Sequence, residues 1–287
     1  FTYLLVSYLI ILCIPFLIGT YIYLQTVDML EKDARESNMA ILKQNSELLE
    51  QQLNEAENSA TTLAINPKVV EFMQENRPNT SEDYFKIHEI LLDIRKYDLN
   101  PLVDGYYLYF PNSRLMMSSL NVFKLPEDYG EDFMVDGMSY EDWERAFQYD
   151  GRDEKYFPIQ SVTVQTQPID VLLFQKMIFS GYSKEPGASV FVLIRQEELR
   201  KMFSSLMTQD GGWAAILDRQ GDVLFQTDER PVILDNLQKA VYGRASSGYF
   251  YDKQDGEKLF VSYIRSGSTG WTYVAALPAG VVLAKAN

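Results

Sequence analysis

The chain has 287 residues, 46% of them hydrophobic and 13% aromatic, with a net charge of −14. That acidic balance argues against a nucleic-acid surface, because phosphate binding draws on surplus Lys and Arg, and it gives no help with anionic headgroups. At about 100–150 residues per domain the length holds two modest domains beside a helical segment. Cys13 is the sole cysteine, so no intrachain disulfide forms.

From Phe1 to Leu24 there is no charged residue, and the first charge is Asp28. About 20 apolar residues cross a ~30 Å hydrocarbon layer, so residues 1–24 predict a transmembrane helix. A cleaved signal peptide has an apolar core of about 7–15 residues and then a small-residue cut site. Here Gln25, Thr26 and Val27 lead straight into a charged helix, which points to a retained anchor. The next charges are Asp28, Glu31, Lys32, Asp33, Arg35 and Glu36, four acids against two bases. Lys and Arg excess marks the cytoplasmic flank, so residues 25–278 are expected on the extracellular side of the cell membrane.

Helical spacing continues through Val27, Leu30, Ala34 and Ile41. It then shifts phase to Leu42, Ser46, Leu49, Leu53, Ala56, Ala60 and Leu63, in alternating steps of four and three. This is a stalk helix over 25–66, with two readings: it packs along the chain's own globular part, or it forms the seam of a parallel homodimer. Asn66-Pro67 interrupts it, since the residue before Pro avoids the α region. A short helix follows over 68–76. Ser81 is expected to cap another over 82–96, with Tyr84, Ile87, Leu91 and Ile94 on one face.

From Asp104 the period changes to two. Tyr106–Phe110 reads as a strand, 111–114 as a turn and 115–118 as the return strand. An acidic irregular segment spans 126–137. A helix over about 139–149 points Trp143, Ala146 and Phe147 one way. Strands at about 160–167, 171–179 and 189–195 precede a helix over 196–208. The same order then recurs in smaller form: strands 213–217 and 223–226 around an Asp218–Gly221 turn, a helix over 232–242, and strands 248–251, 258–265 and 271–277. The expected fold class is α+β: a membrane helix, a stalk helix, and two tandem PAS-like antiparallel sheet modules, 67–208 and 209–278.

Catalysis would need a nucleophile with a base, a metal cage or a phosphate loop. The one histidine, His88, falls on the polar side of its helix, and no Gly-x-Ser-x-Gly, Gly-x-Gly-x-x-Gly or Walker-type loop occurs. Glu127, Asp128, Glu131, Asp132 and Asp136 lack the alternating spacing of an EF-hand loop and read as a solvated acidic segment. No enzyme, metal site or cofactor is expected.

The stalk end Leu63-Ala64-Ile65-Asn66-Pro67-Lys68-Val69 resembles the double Cache (dCache) extracellular sensor domains of bacterial membrane receptors. So do Gly211-Gly212-Trp213-Ala214-Ala215-Ile216-Leu217-Asp218 with Gly221, Val261-Ser262-Tyr263, and Gly270-Trp271 through Leu277-Pro278. More narrowly, Ser7-Tyr8-Leu9-Ile10-Ile11 with Ile14-Pro15, and Met138-Ser139-Tyr140-Glu141-Asp142-Trp143, resemble the sensor half of membrane-anchored AraC-type transcriptional regulators of Gram-positive bacteria. The tail 282–287, within the segment 279–287, is similar to their lead-in to a second membrane helix. The resemblance implies a second span and a DNA-binding helix-turn-helix beyond Asn287, so any DNA contact lies outside this chain. Sensor histidine kinases and chemoreceptors carry the same extracellular domain and form the alternative output.

In double Cache proteins the first, membrane-distal module holds the ligand, which here implies the segment 104–195. Tyr107 and Tyr109 share one strand face, Trp143 sits on the covering helix, and Tyr149, Asp150 and Arg152 follow it. Aromatic walls with a few convergent polar groups suit a small polar ligand such as a sugar. Plain core packing is the competing reading for Tyr107, Tyr109 and Trp143. Amino-acid-sensing members carry Arg and a Trp-Tyr pair on this helix, whereas here Trp143 is followed by Glu144, so that pattern is not met. Outside sensing, an anchored surface enzyme and a structural stalk with empty modules are the remaining alternatives.

Overall fold

The structure, a computed structural model, describes residues 2–181, 183–206, 211–228, 242–243, 245–254 and 256–280. In the first helix the side chains of 2–12, 14, 27, 28, 30, 31 and 34 lie outside the described set. That helix, α1, runs unbroken from Thr2 to Ala64 with one proline, Pro15. All seven residues of the phase-shifted set, Leu42 through Leu63, are buried within a single chain. Their stripe therefore packs on the chain's own residues, which favours the first of the two readings along 42–63. Polar ties add to it: Tyr156 Oη donates to Glu57 Oε1 at 2.7 Å, and Asn100 Nδ2 donates to the Gln52 carbonyl at 3.2 Å. Burial pushes the Glu57 carboxyl upward from its ordinary value.

Among the described residues no helix is long and apolar enough to cross a membrane. The expected span 1–24 falls for its first half on side chains outside the described set and rests on the sequence. The expected lead-in at 282–287 also lies outside the described residues.

Asn66 ends α1 and caps α2 (Pro67–Phe72), its side chain accepting from Lys68 N. The third helix, α3 (Ser81–Arg95), is capped by Thr80 and not by Ser81: Thr80 Oγ1 accepts from Asp83 N while the Asp83 carboxylate accepts from Thr80 N. Its buried face is Ile87, Ile90, Asp93 and Ile94, and Tyr84 is 56% exposed. The face is rotated from the expected one because Asp93 turns inward, where Lys96 Nζ (2.5 Å), Asn66 Nδ2 (3.1 Å) and Lys68 Nζ (3.2 Å) surround it. Those donors, Lys96 foremost, hold the Asp93 carboxyl at about 2.

The first sheet has seven strands: β1 (Val103–Phe110), β2 (Leu115–Met117), β3 (Val122–Lys124), β4 (Phe133–Val135), β5 (Glu154–Val164), β6 (Gln167–Phe179) and β7 (Pro186–Arg195). Their order is β3-β2-β1-β7-β6-β5-β4, with every named pairing antiparallel. Between β4 and β5 lies α4 (Tyr140–Ala146), and α5 (Gln196–Met202) follows β7. The short edge strands β3 and β4 fall in stretches whose composition reads as loop, since three residues are too few to show a period. The second sheet is β8 (Trp213–Leu217), β9 (Val223–Gln226), β10 (Ser247–Gln254), β11 (Glu257–Arg265) and β12 (Thr272–Pro278), in the order β10-β11-β12-β8-β9. Gly221 closes the β8–β9 turn at φ 85°, donating to the Asp218 carbonyl at 3.1 Å. Most of the helix expected at 232–242 lies outside the described residues.

Both sheets share one connectivity: the opening strand sits between its hairpin partner and the closing strand, and the middle strands run outward from there. The chain is thus a mixed α and β protein with two antiparallel sheets. Two compact units divide it, one of residues 45–203 with 222–225 and the other of 1–44, 204–221 and 226–287.

Two stability effects follow. Leu53→Ala opens a cavity in the buried stripe and is expected to cost about 2–4 kcal/mol in denaturant unfolding. Leu48→Ala, at a position 46% exposed, should stay within about 0.5 kcal/mol. A Leu53→Ala loss that varied with protein concentration would instead place the stripe in an interface. Asp93 is depressed below its ordinary 3.8, so its contribution is full above about pH 4 and fades as pH falls through about 2. Asp93→Asn should cost about 1–2 kcal/mol at pH 7, with the gap to the parent closing between pH 4 and pH 2.

Candidate functional site

The site is built where α4 crosses the first sheet. Ser139 caps α4 by accepting from Asp142 N, and Glu141 and Asp142 in the first turn with Arg145 in the last complement the helix dipole. Seven residues are too few to be stable alone, so packing holds this helix in place. Its inward residue is Trp143, 1% exposed, and its C-cap is Phe147. Gln175 Nε2 on β6 donates to the Phe147 carbonyl at 2.8 Å, which satisfies a helix-end acceptor inside the core.

Period-two alternation puts Tyr107 and Tyr109 of β1 on the face under α4, with Val171 and Leu173 of β6 and Phe191 and Leu193 of β7. Trp143 meets the Tyr109 ring edge-on at 4.9 Å between centroids, and lies 6.1 Å from Phe133, 5.8 Å from Phe147 and 6.0 Å from Phe191. Aromatic side chains therefore fill much of the space between sheet and helix.

One cleft of about 480 Å³ remains open beside this plug. Its floor is a row across three strands, since Tyr109 pairs with Ser189 and Ser189 with Met177, and cross-strand partners share a face. Trp143, Glu144 and Phe147 come down from α4, and Gln148, Tyr149 and Glu185 complete the rim. Tyr109 Oη lies 3.1 Å from Tyr140 Oη, and both hydroxyls donate to Glu144 Oε1 at 3.3 Å. Burial, reinforced by these neighbours, pushes the Tyr109 phenol up, so it stays protonated and acts as a donor.

The six sequence-derived candidates separate. Tyr109, Trp143 and Tyr149 line this cleft. Tyr107 is buried on the same strand face but opens on a second, smaller cavity of about 250 Å³ with Asp104, Asn121 and Gln165. Asp150 and Arg152 are not in the cleft: they are exposed and paired with each other, with Lys155 Nζ 3.3 Å from the Asp150 carboxylate. The Arg152 guanidinium pulls the Asp150 carboxyl well below its ordinary value. The pairing is local, between side chains two residues apart.

Sequence reasoning missed Glu144, Glu185, Ser189 and Met177. The Trp143–Glu144 pair with Tyr140 one turn before was visible as a helix-face cluster. Ser189 and Met177 needed the strand register. Among the described residues no group of three metal-ligating side chains converges. In the acidic segment Glu127 pairs with Arg77 at 2.8 Å, and Asp128 accepts from Lys124 N at 2.6 Å, so these carboxylates brace the loop.

No protein-family profile and no curated protein matches the chain. Solved structures do. The sensory domain of the Campylobacter jejuni chemoreceptor Tlp3 (CcmL), with isoleucine bound, is similar at TM-score 0.54 and 14% identity over 90% of this chain and 97% of that one. The periplasmic sensory domain of the C. jejuni chemoreceptor Tlp1 is similar at TM-score 0.59 and 12% identity, over 88% and 98%. The extracellular domain of the putative histidine kinase rpHK1S-Z16 is similar at TM-score 0.52 and 18% identity, over 87% and 97%. The chain therefore has the fold of extracellular and periplasmic sensory domains.

Proposed function

We propose that the chain is the extracellular ligand-sensing part of a bacterial transmembrane receptor, a double Cache sensor whose module 67–208 binds a small molecule. The observation that carries this is the open cleft on the sheet face beneath α4, in a fold shared with ligand-binding sensory domains. The charge-free opening of α1 is the membrane anchor on this reading, which its exposed row Phe16, Leu17, Ile18, Tyr21, Ile22, Tyr23 and Leu24 supports. Two ligand chemistries suit aromatic walls beside carboxylates: a neutral polyol such as a sugar, and an organic cation.

Ligand closes the cleft, and α1 relays the change by a shift of about 1–2 Å toward the membrane. Ligand at 100 times its Kd supplies about 2.7 kcal/mol, of which only the difference in affinity between two states moves the equilibrium. The output is an AraC-type DNA-binding module on the resemblance of the anchor and 138–143. The second reading is a chemoreceptor or histidine kinase output, favoured by the structural neighbours. A parallel homodimer would use faces of α1 outside the buried stripe.

The relay has a direct test. The described side chains of α1 from Pro15 to Asp33 are exposed, whereas Asn38, Leu42 and the stripe beyond are buried. Two glycines inserted between Lys32 and Asp33 of the full receptor should leave ligand affinity within about two-fold and abolish signalling, because they break the helix between two exposed side chains, away from the cleft. Unchanged signalling in a reporter assay refutes the relay.

A further inference from the structure

We propose that the cleft takes a small organic cation with an apolar body, an alkyl- or arylammonium ion. This rests on the sensor reading of the same cleft and names its ligand class. The charged groups at the cleft are Glu144 on α4 and Glu185 just before β7, and no Lys or Arg is among its described lining residues. The basic side chains nearby in sequence are held elsewhere: Arg145 by Asp142 at 3.1 Å, and Arg152 and Lys155 by Asp150. Lys184 is exposed and outside the lining. The charge of Arg114 reaches Tyr140 beside Glu144 from outside the lining, so a ligand acid group would meet two carboxylates with no base among the described lining residues, and that repulsion grows as water is displaced.

The floor tells a cation from a polyol. Met177 and Ala188 on the sheet side and Phe147 on the helix side are apolar, and the floor hydroxyl of Ser189, 4% exposed, has no hydrogen bond among the described residues. Tyr109 Oη is already engaged by Tyr140 and Glu144. A polyol's hydroxyls could donate to the same carboxylates and to Ser189, but a neutral ligand leaves the two negative charges of Glu144 and Glu185 without a counter-charge as water is displaced. An ammonium group needs acceptors only. It has three donors, for which Glu144, Glu185 and Ser189 offer oxygens, and ring faces attract it further. The apolar floor then takes the hydrocarbon body.

Calorimetric titration of the chain with n-hexylammonium and 2-phenylethylammonium chloride tests this, with 1-hexanol, 2-phenylethanol, L-phenylalanine and D-glucose as comparators. At least one amine should saturate, about ten-fold or more tighter than its alcohol, with phenylalanine weaker still; ten-fold corresponds to about 1.4 kcal/mol. Glu185→Gln should weaken the amine about five- to ten-fold and leave the alcohol unchanged, and Ser189→Trp should abolish binding by filling the cleft. Glu185 is exposed, so Glu185→Gln keeps the fold and carries the test if Ser189→Trp does not fold. Glucose or an alcohol binding as tightly as the amines, and lost in Ser189→Trp, overturns the cation and leaves the cleft as the site. Amine binding untouched by Ser189→Trp places the site elsewhere and overturns both. Absence of binding by either amine at millimolar concentration also overturns the cation.

Discussion

Within the unit of residues 45–203 with 222–225, one buried stripe ties the end of α1 to the rest. Leu42, Ser46, Leu49, Leu53, Ala56, Ala60 and Leu63 lie on a single line of α1, and each is buried. Alternating steps of four and three keep such a line straight along a helix, which is why the segment remains helical without sequence caps over its length. The two alanines let the backbone come close, and the leucines supply the apolar area. Glu57, held by Tyr156, sets a polar contact within this otherwise apolar arrangement, so a shift of β5 would reach α1 through a directional bond as well as through packing.

The sheet beneath α4 is a second filled interface, and its filling shapes what remains of the cleft. Trp143, Phe133, Phe147 and Phe191 occupy the middle of the space, each in ring contact with Trp143. What is left open is displaced toward the Tyr109–Ser189–Met177 row and bordered by carboxylates. The shared architecture with amino-acid-bound sensory domains is thus compatible with a different ligand chemistry, because architecture fixes the sheet and helix whereas side-chain volume and charge fix the pocket.

The elements with strong period were legible in the sequence: the α1 stripe, β1, β6, β7 and the repeated strand order of the second sheet, all long enough to display a face. Composition could not reveal β3 or β4, which exist only because they pair with neighbours. On α3 the expected face was misaligned because a buried Asp93 with three donors overrode the apolar pattern. Tyr109, Trp143 and Tyr149, singled out in the sequence as aromatic residues of one strand and the covering helix, line the candidate cleft. Asp150 and Arg152 lie outside the cleft and pair with each other. Ser189 and Met177 could be placed only by register, and Glu185 only by the course of the loop into β7, since nothing local marks them.

The central claim is that a molecule in this cleft is felt along α1. Amide hydrogen exchange of the chain, with and without a saturating cleft ligand, measures both halves at once. A working sensor shows added protection at α4 and at 185–189, together with altered exchange over residues 45–64. Protection confined to the smaller cavity around Tyr107 and Gln165, or protection at the cleft with residues 45–64 unchanged, contradicts it.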